Sequence, residues 1–177
     1  MNSEQLRERQ APLKALYREN PSAAMRTLRA SCRVSQASIT STLEGGKPGI
    51  PVGLHPAAGG DGSAACSGDI LLEALVSCAG VTLAAVSTSM GIALASAVVS
   101  AEGDLDFRGT LGVAKDVPVG FGSIRLKFAI EADAPADKLT KLVELTERYC
   151  VVFQTLAKPP SIVTEIASST SDAAHNR

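Results

Sequence analysis

Tryptophan is absent from this 177-residue sequence, and aromatic side chains stop at four phenylalanines and two tyrosines. Without flat aromatic faces a chain has no platform on which bases or sugar rings stack. An excess of charge is missing too. The 17 basic residues stand against 18 acidic ones, intermixed along the chain, so the electrostatic footprint that nucleic acid or an anionic lipid surface requires is not there. Two histidines, His55 and His175, are too few and too far apart for a metal cluster, and none of the four cysteines sits in a C-x-x-C pair, so no metal site is expected. The first twenty residues carry charge throughout and lack the apolar centre and small-residue cleavage site of a secretory leader, which predicts a cytoplasmic protein. In a reducing compartment four cysteines point to buried thiols or redox chemistry rather than to a disulfide framework.

What the sequence does have is a charge-free run from Ala74 to Ala101. It is long enough to span a membrane, for which about 20 residues suffice. Its seven serines and threonines, its internal Gly80 and Gly91, and the want of flanking Lys/Arg or an aromatic belt argue against a span. The run divides instead at Gly91, a candidate left-handed residue ending a helix. That helix starts at "CSGDILLEAL", with Ser67 placed to cap it and Asp69 in the first turn, where a carboxylate meets the positive end of the helix dipole. Leu71, Leu75, Cys78 and Thr82 share one face and Leu72, Val76, Ala79, Leu83 and Val86 the next, so the helix is apolar nearly all round and must be buried. Its small residues, Ala74, Ser77, Ala79, Gly80, Ala84 and Ala85, allow another backbone to approach closely.

Two segments alternate with period two: Val99, Ala101, Gly103, Leu105 and Phe107, then Ile124, Leu126, Phe128 and Ile130. They read as antiparallel partners joined by an ordered loop. "AMRTLRASCRVS" and "SITSTLEGG" read as an earlier pair of strands, with Cys32 a small core residue. A short charged helix over residues 3–19 precedes them. A second long helix follows "DAPAD", with Pro135 near its start and Leu139, Leu142, Val143, Thr146, Tyr149, Cys150 and Phe153 as its apolar stripe. "PPSIVTEIA" predicts a last strand. The reading is an α+β fold, with a helical extension over 1–22, one domain over 23–167 and a disordered tail over 168–177.

"GGDGSAACSGDILLEALVSCAGVTLAAV", followed by "GFGSIRLKFAIEADAPADKLTKLVELTERYCVVFQTL", resembles the OsmC/Ohr superfamily of osmotically induced and organic hydroperoxide resistance proteins. The order of motifs carries the resemblance: a Gly-Gly loop, a leucine-rich helix with a Ser-Cys, an alternating strand after Gly-Phe, and a helix reaching a second cysteine. It implies antiparallel sheets wrapped around two long helices, the central one buried in an intertwined homodimer with sites at the interface. It also implies that Cys78 is the peroxidatic cysteine, attacking an organic hydroperoxide to form a sulfenic acid, and that Cys150 resolves it as a disulfide. A dithiol reductant, such as a lipoylated protein, then opens that disulfide, and no cofactor is needed.

The residues that activate the thiol in this family are not all matched. The glutamate that stands ten residues before the peroxidatic cysteine is Gly68 here, with Asp69 the nearest acid. The activating arginine has Arg33 as first candidate, with Arg29, Arg108 and Arg148 as alternatives. Cys150 is followed by Val151 where proline is usual. An ordinary thiol is mostly protonated at neutral pH and burial protonates it further, so a cation beside Cys78 is expected. Cys66, at the mouth of the helix, is a candidate third reactive thiol, and His55 a candidate hydrogen-bonding group. The competing function is a non-peroxidase dimer of the same fold that binds a small lipophilic or thiol-reactive ligand, its cysteines structural or sensory.

Overall fold

Backbone hydrogen bonds and apolar periodicity cooperate most clearly in the second half of the chain. The computed structural model describes residues 2–25, 27, 30–35, 40–44 and 51–167, with the backbone alone for 31–35 and 40–44. In chain order it runs α1 (Ser3–Glu19), β1 (Ser31–Ser35), β2 (Thr40–Glu44), β3 (Pro51–Gly53), β4 (Ala65–Cys66), α2 (Ser67–Met90), β5 (Leu94–Leu105), α3 (Phe107–Thr110), β6 (Phe121–Ala132), α4 (Ala136–Tyr149) and α5 (Val151–Ala157). The α+β class holds. One sheet has the order β1-β2-β3-β4, antiparallel except for a short parallel pairing of β3 with β4, and the other is the ribbon β5-β6. The pairing of β1 with β2 and of β5 with β6 is as expected. Strands β3 and β4 are too short for periodicity to reveal.

Helix α2 ends as its glycine predicts. Gly91 has φ 69°, and the Ile92 N–H reaches back to the Ser87 carbonyl at 2.9 Å, closing the last turn and delivering Ile92 to the core. At the other end the cap is Cys66, not Ser67, and its side chain makes no capping bond. The helix tolerates its hydroxyls because four of them bond within it: Ser77 to Glu73, Thr82 to Cys78, Ser87 and Thr88 to Ala84, all to carbonyl oxygens.

Leu83, Ile92 and Leu142 form the centre of the core, with Val86, Met90, Val99, Phe128, Ile130 and Leu139 packed around them. Helices α2 and α4 thus lie against each other and α2 against β5. On β5 and β6 the residues Val99, Ala101, Gly103 and Leu105, and Ile124, Leu126, Phe128 and Ile130, turn inward while their neighbours are exposed. Phe107 is not the last strand residue but the first of α3, because Asp106 caps a helical turn through the Arg108 N–H.

Three expectations fail for physical reasons. The second long helix is two helices: at Cys150 the backbone turns to ψ 111°, so the stripe from Leu139 to Phe153 crosses a break, and Tyr149 is 59% exposed. Residues 159–167 form no strand. Their alternation is present, but no described strand pairs with them, and Ile162, Val163 and Ile166 lie in the open. Finally, α2 is buried within the chain along one stripe only, Leu75, Ala79, Leu83 and Ser87. Ala74, Ser77, Val81 and Ala84 form an exposed face, and Ala79, expected among the residues that admit a neighbouring backbone, faces the core. Among the described residues α2 is the one helix long and apolar enough to cross a membrane.

Candidate functional site

The break between α4 and α5 decides the chemistry around Cys78. In an unbroken helix the Val151 N–H would donate to the Glu147 carbonyl and the Val152 N–H to that of Arg148. The turn at Cys150 frees both amides. They point instead at the Cys78 sulfur, which sits on the facing side of α2. The Gln154 side chain takes over the abandoned Glu147 carbonyl, its Nε2 donating at 2.9 Å across the break. Cys150 is itself the N-cap of α5, its sulfur accepting from the Phe153 N–H at 3.5 Å.

Cys78 and Cys150 are free thiols, near enough that each shifts the ionisation of the other. Burial pushes the Cys78 thiol up, but the Val152 amide, the Cys150 thiol and the Val151 amide draw it down, with the Thr82 hydroxyl, bonded to the Cys78 carbonyl, adding a smaller pull the same way. The outcome lies below the ordinary thiol range. Cys150 goes the other way. It has no exposed surface; burial raises it, and so does donating its proton toward Cys78. The environments therefore split two chemically identical groups, making Cys78 the sulfur that ionises and Cys150 the one that keeps its proton. Among the described residues the donors that lower Cys78 are all neutral.

The remaining candidates lie elsewhere. Arg108 is bound to Asp106, with Nε at 3.1 Å from Oδ1, and Arg148 stacks over the Tyr149 ring at 5.5 Å. Arg33 faces Thr42 in the register of β1 with β2, its side chain outside those described, as is that of Cys32, and Arg29 lies outside the described residues. Cys66 is half-buried at the start of α2, eleven residues from the first helical position to Cys78 or about 16 Å along the axis, so the two thiols are not brought together. Asp69 is exposed in the first turn of α2. His55 accepts the Ala57 N–H on Nδ1 at 3.0 Å and stacks on Phe107 at 4.8 Å, which explains it as the cap of a short turn.

Gly68, where the resemblance leads one to expect glutamate, is covered by a phenylalanine. A Cβ on Gly68 would stand 3.4 Å from the Phe121 ring, and one on Gly103 would come within 2.6 Å of it. The ring of Phe121 lies against the bare backbone of both glycines. A carboxylate at position 68 would meet that ring. Phe121 also lines a groove of about 410 Å³, whose apolar side is Leu75, Ile124, Leu126 and Phe153 and whose polar side includes Ser123 and Glu147; Leu75 and Phe153 set it beside the thiol pair.

The family resemblance singled out Cys78 and Cys150, and helical spacing put Thr82 on the face of Cys78 without a role. Sequence reasoning missed the Val151 and Val152 amides and Gln154. The β-branched pair after Cys150 is the one local signal of the break, since such residues lower helix propensity only slightly. Among the described residues no group of three or more potential ligands forms a metal site.

Comparison with known proteins agrees with this fold. The family model for OsmC-like proteins matches residues 60–165. No curated protein sequence matches. Among solved structures, an OsmC-like protein from Mycoplasma pneumoniae is similar with a TM-score of 0.63 at 14% identity, over 76% of this chain and 89% of that one. An organic hydroperoxide resistance protein from Elizabethkingia anophelis gives 0.59 at 16% identity over 76% and 93%. The organic hydroperoxide resistance protein OhrB of Bacillus subtilis gives 0.53 at 15% identity over 77% and 94%.

Proposed function

Because the chain belongs to the OsmC-like family, we propose that it is a cysteine-based peroxidase that reduces organic hydroperoxides. One observation carries the proposal: the fold brings two free thiols together across α2 and the α4–α5 break, with Cys78 lowered and Cys150 raised by their surroundings. The Cys78 thiolate attacks the outer oxygen of the hydroperoxide, the O–O bond breaks, and the leaving alkoxide takes up a proton to become the alcohol. Cys78 is then a sulfenic acid. The Cys150 sulfur attacks it, water leaves, and a Cys78–Cys150 disulfide remains. A dithiol, such as a lipoyl group on a protein, exchanges with that disulfide, becoming oxidised itself and returning both thiols. Cys150 is already near Cys78, so the second step needs little rearrangement. The apolar side of the groove beside the pair favours bulky hydroperoxides over hydrogen peroxide, since burial of about 100 Å² of apolar surface contributes about 2.5 kcal/mol.

The protein acts as a homodimer in this reading. The exposed face Ala74, Ser77, Val81 and Ala84 of α2, on a helix of mean hydropathy 2.0, is small and apolar, and a second copy covers it more readily than water does. That association, and not a bilayer, accounts for the helix. The extension over 1–22 precedes the span 60–165 that the family model matches.

Stopped-flow mixing of the reduced protein with cumene hydroperoxide and with hydrogen peroxide tests the function. The expected result is a faster reaction with cumene hydroperoxide, one equivalent of which consumes two thiols per chain and yields a Cys78–Cys150 disulfide on peptide mapping. Equal slow rates with no disulfide would replace this reading with that of a ligand-binding dimer, which the neutral ring of Phe121 over Gly68 favours.

A further inference from the structure

Helix α1 lies across α2 and makes one wall of a groove of about 610 Å³, within the size range of small-molecule sites. Its own sequence explains how: Leu6, Gln10 and Lys14 recur every four residues and so share one helical face. The opposite wall is apolar, formed by α2 as far as Met90 and ending at Val81, where the proposed self-association face begins. Two lining residues connect the groove to the thiols. Thr82, one turn along α2 from Cys78, donates to the Cys78 carbonyl oxygen at 2.8 Å, and Tyr149 precedes Cys150. Among the described residues that line it, Lys14 alone carries a charge. Helix α1 lies outside the span matched by the family model.

We propose that this groove binds an apolar chain with a single carboxylate head, its tail on the α2 wall and its charge at Lys14. Helix α1 is then a specificity element: it favours carboxylate-bearing hydroperoxides, such as those of long-chain fatty acids, over their neutral esters. An apolar wall alone would hold both equally. A lone cation at the rim distinguishes them, and because it is exposed its effect is screened by salt. The substrate part rests on the peroxidase reading; the binding part does not.

Calorimetric titration of the reduced, full-length protein with laurate and with dodecanol, both below their aggregation limits and at low salt, tests the binding. Laurate is expected to bind three- to tenfold more tightly than dodecanol. Lys14→Arg keeps the preference, Lys14→Gln removes it, Lys14→Glu inverts it, and 0.5 M salt suppresses it. In the kinetic arm, the ratio of kcat/KM for linoleic acid hydroperoxide to that for its methyl ester follows the same series. A laurate preference that is absent, or that ignores the charge at position 14, overturns the proposal. Peroxide turnover with indifference to Lys14 would sink the groove and leave the reaction standing. Laurate binding that follows Lys14, without turnover of any hydroperoxide, would keep the groove and sink the reaction.

Discussion

Replacing Val151 by proline removes one backbone donor from Cys78 and little else. Proline is welcome at the first position of a helix, where Val151 stands, and the residue before a proline prefers an extended backbone. Cys150 already has φ −74° and ψ 111°. The Val151 side chain is 70% exposed, so its packing contributes little. What is lost is the Val151 N–H that donates toward the Cys78 sulfur. A hydrogen bond to a charged group contributes about 1.5–3 kcal/mol. At 1.36 kcal/mol for each tenfold change, the thiolate population below its titration midpoint falls about ten- to a hundredfold. A more basic thiolate is also a better nucleophile, by about the square root of that factor, so the reaction with cumene hydroperoxide slows about three- to tenfold. The assay is iodoacetamide alkylation of Cys78 against pH, read peptide by peptide, beside the stopped-flow rate. Val151→Ala, which keeps the amide, is the control and behaves as the parent. If Val151→Pro alkylates with the parent's pH profile while remaining folded, the α5 amides do not lower Cys78 and the account of its activation is wrong.

Other consequences can be measured alongside. Cys150→Ser stops at a Cys78 sulfenic acid that dimedone traps, with no disulfide on peptide mapping. Gln154→Leu loses the bond to the Glu147 carbonyl that bridges the break, and is expected to move the Cys78 alkylation profile toward higher pH, with Gln154→Asn restoring part of it. Gly103→Ala puts a methyl 2.6 Å from the Phe121 ring and costs about 1–3 kcal/mol of overpacking, seen as a lower urea midpoint. Light scattering is expected to give twice the 18.2 kDa chain mass, and a stable monomer would refute the homodimer.

The parts of the fold that were legible are those in which a local rule and the tertiary answer coincide. Gly91 ends α2 because the left-handed turn that a glycine supplies also delivers Ile92 to the core. The inward faces of β5 and β6 follow from alternation because one side of the ribbon meets the helices. Cys78 and Thr82 share a helical face for the same reason. The break at Cys150 escapes such rules. Leu142, Thr146, Cys150 and Phe153 keep helical spacing across it, so the apolar stripe reads as continuous, while the bond that bridges it joins a side chain to a carbonyl seven residues away. Residues 159–167 failed in the opposite sense. Their alternation is a local property, but a strand exists only where another backbone accepts its hydrogen bonds.

The expectation of a cation beside Cys78 rests on charged side chains because those are what a sequence displays. Backbone amides leave no trace in it. Yet a thiolate needs only oriented positive potential, and α5 provides that with neutral donors, as an N-terminal turn does for any anion. The space where an acidic residue could steady an arginine holds Phe121 between two glycines, so the apolar side of the groove continues where charge was expected. Activation by fixed dipoles and activation by an ion pair differ in their response to salt, since mobile ions screen partly exposed charges strongly and short contacts with neutral amides hardly at all. Raising salt from 0.05 to 0.5 M is therefore expected to change the rate with neutral cumene hydroperoxide by less than about twofold. Arg33→Ala is expected to leave the Cys78 alkylation profile closer to the parent's than Val151→Pro does. A steep loss of rate with salt, joined to a larger effect of Arg33→Ala, would transfer the activation from the α5 amides to the guanidinium of β1.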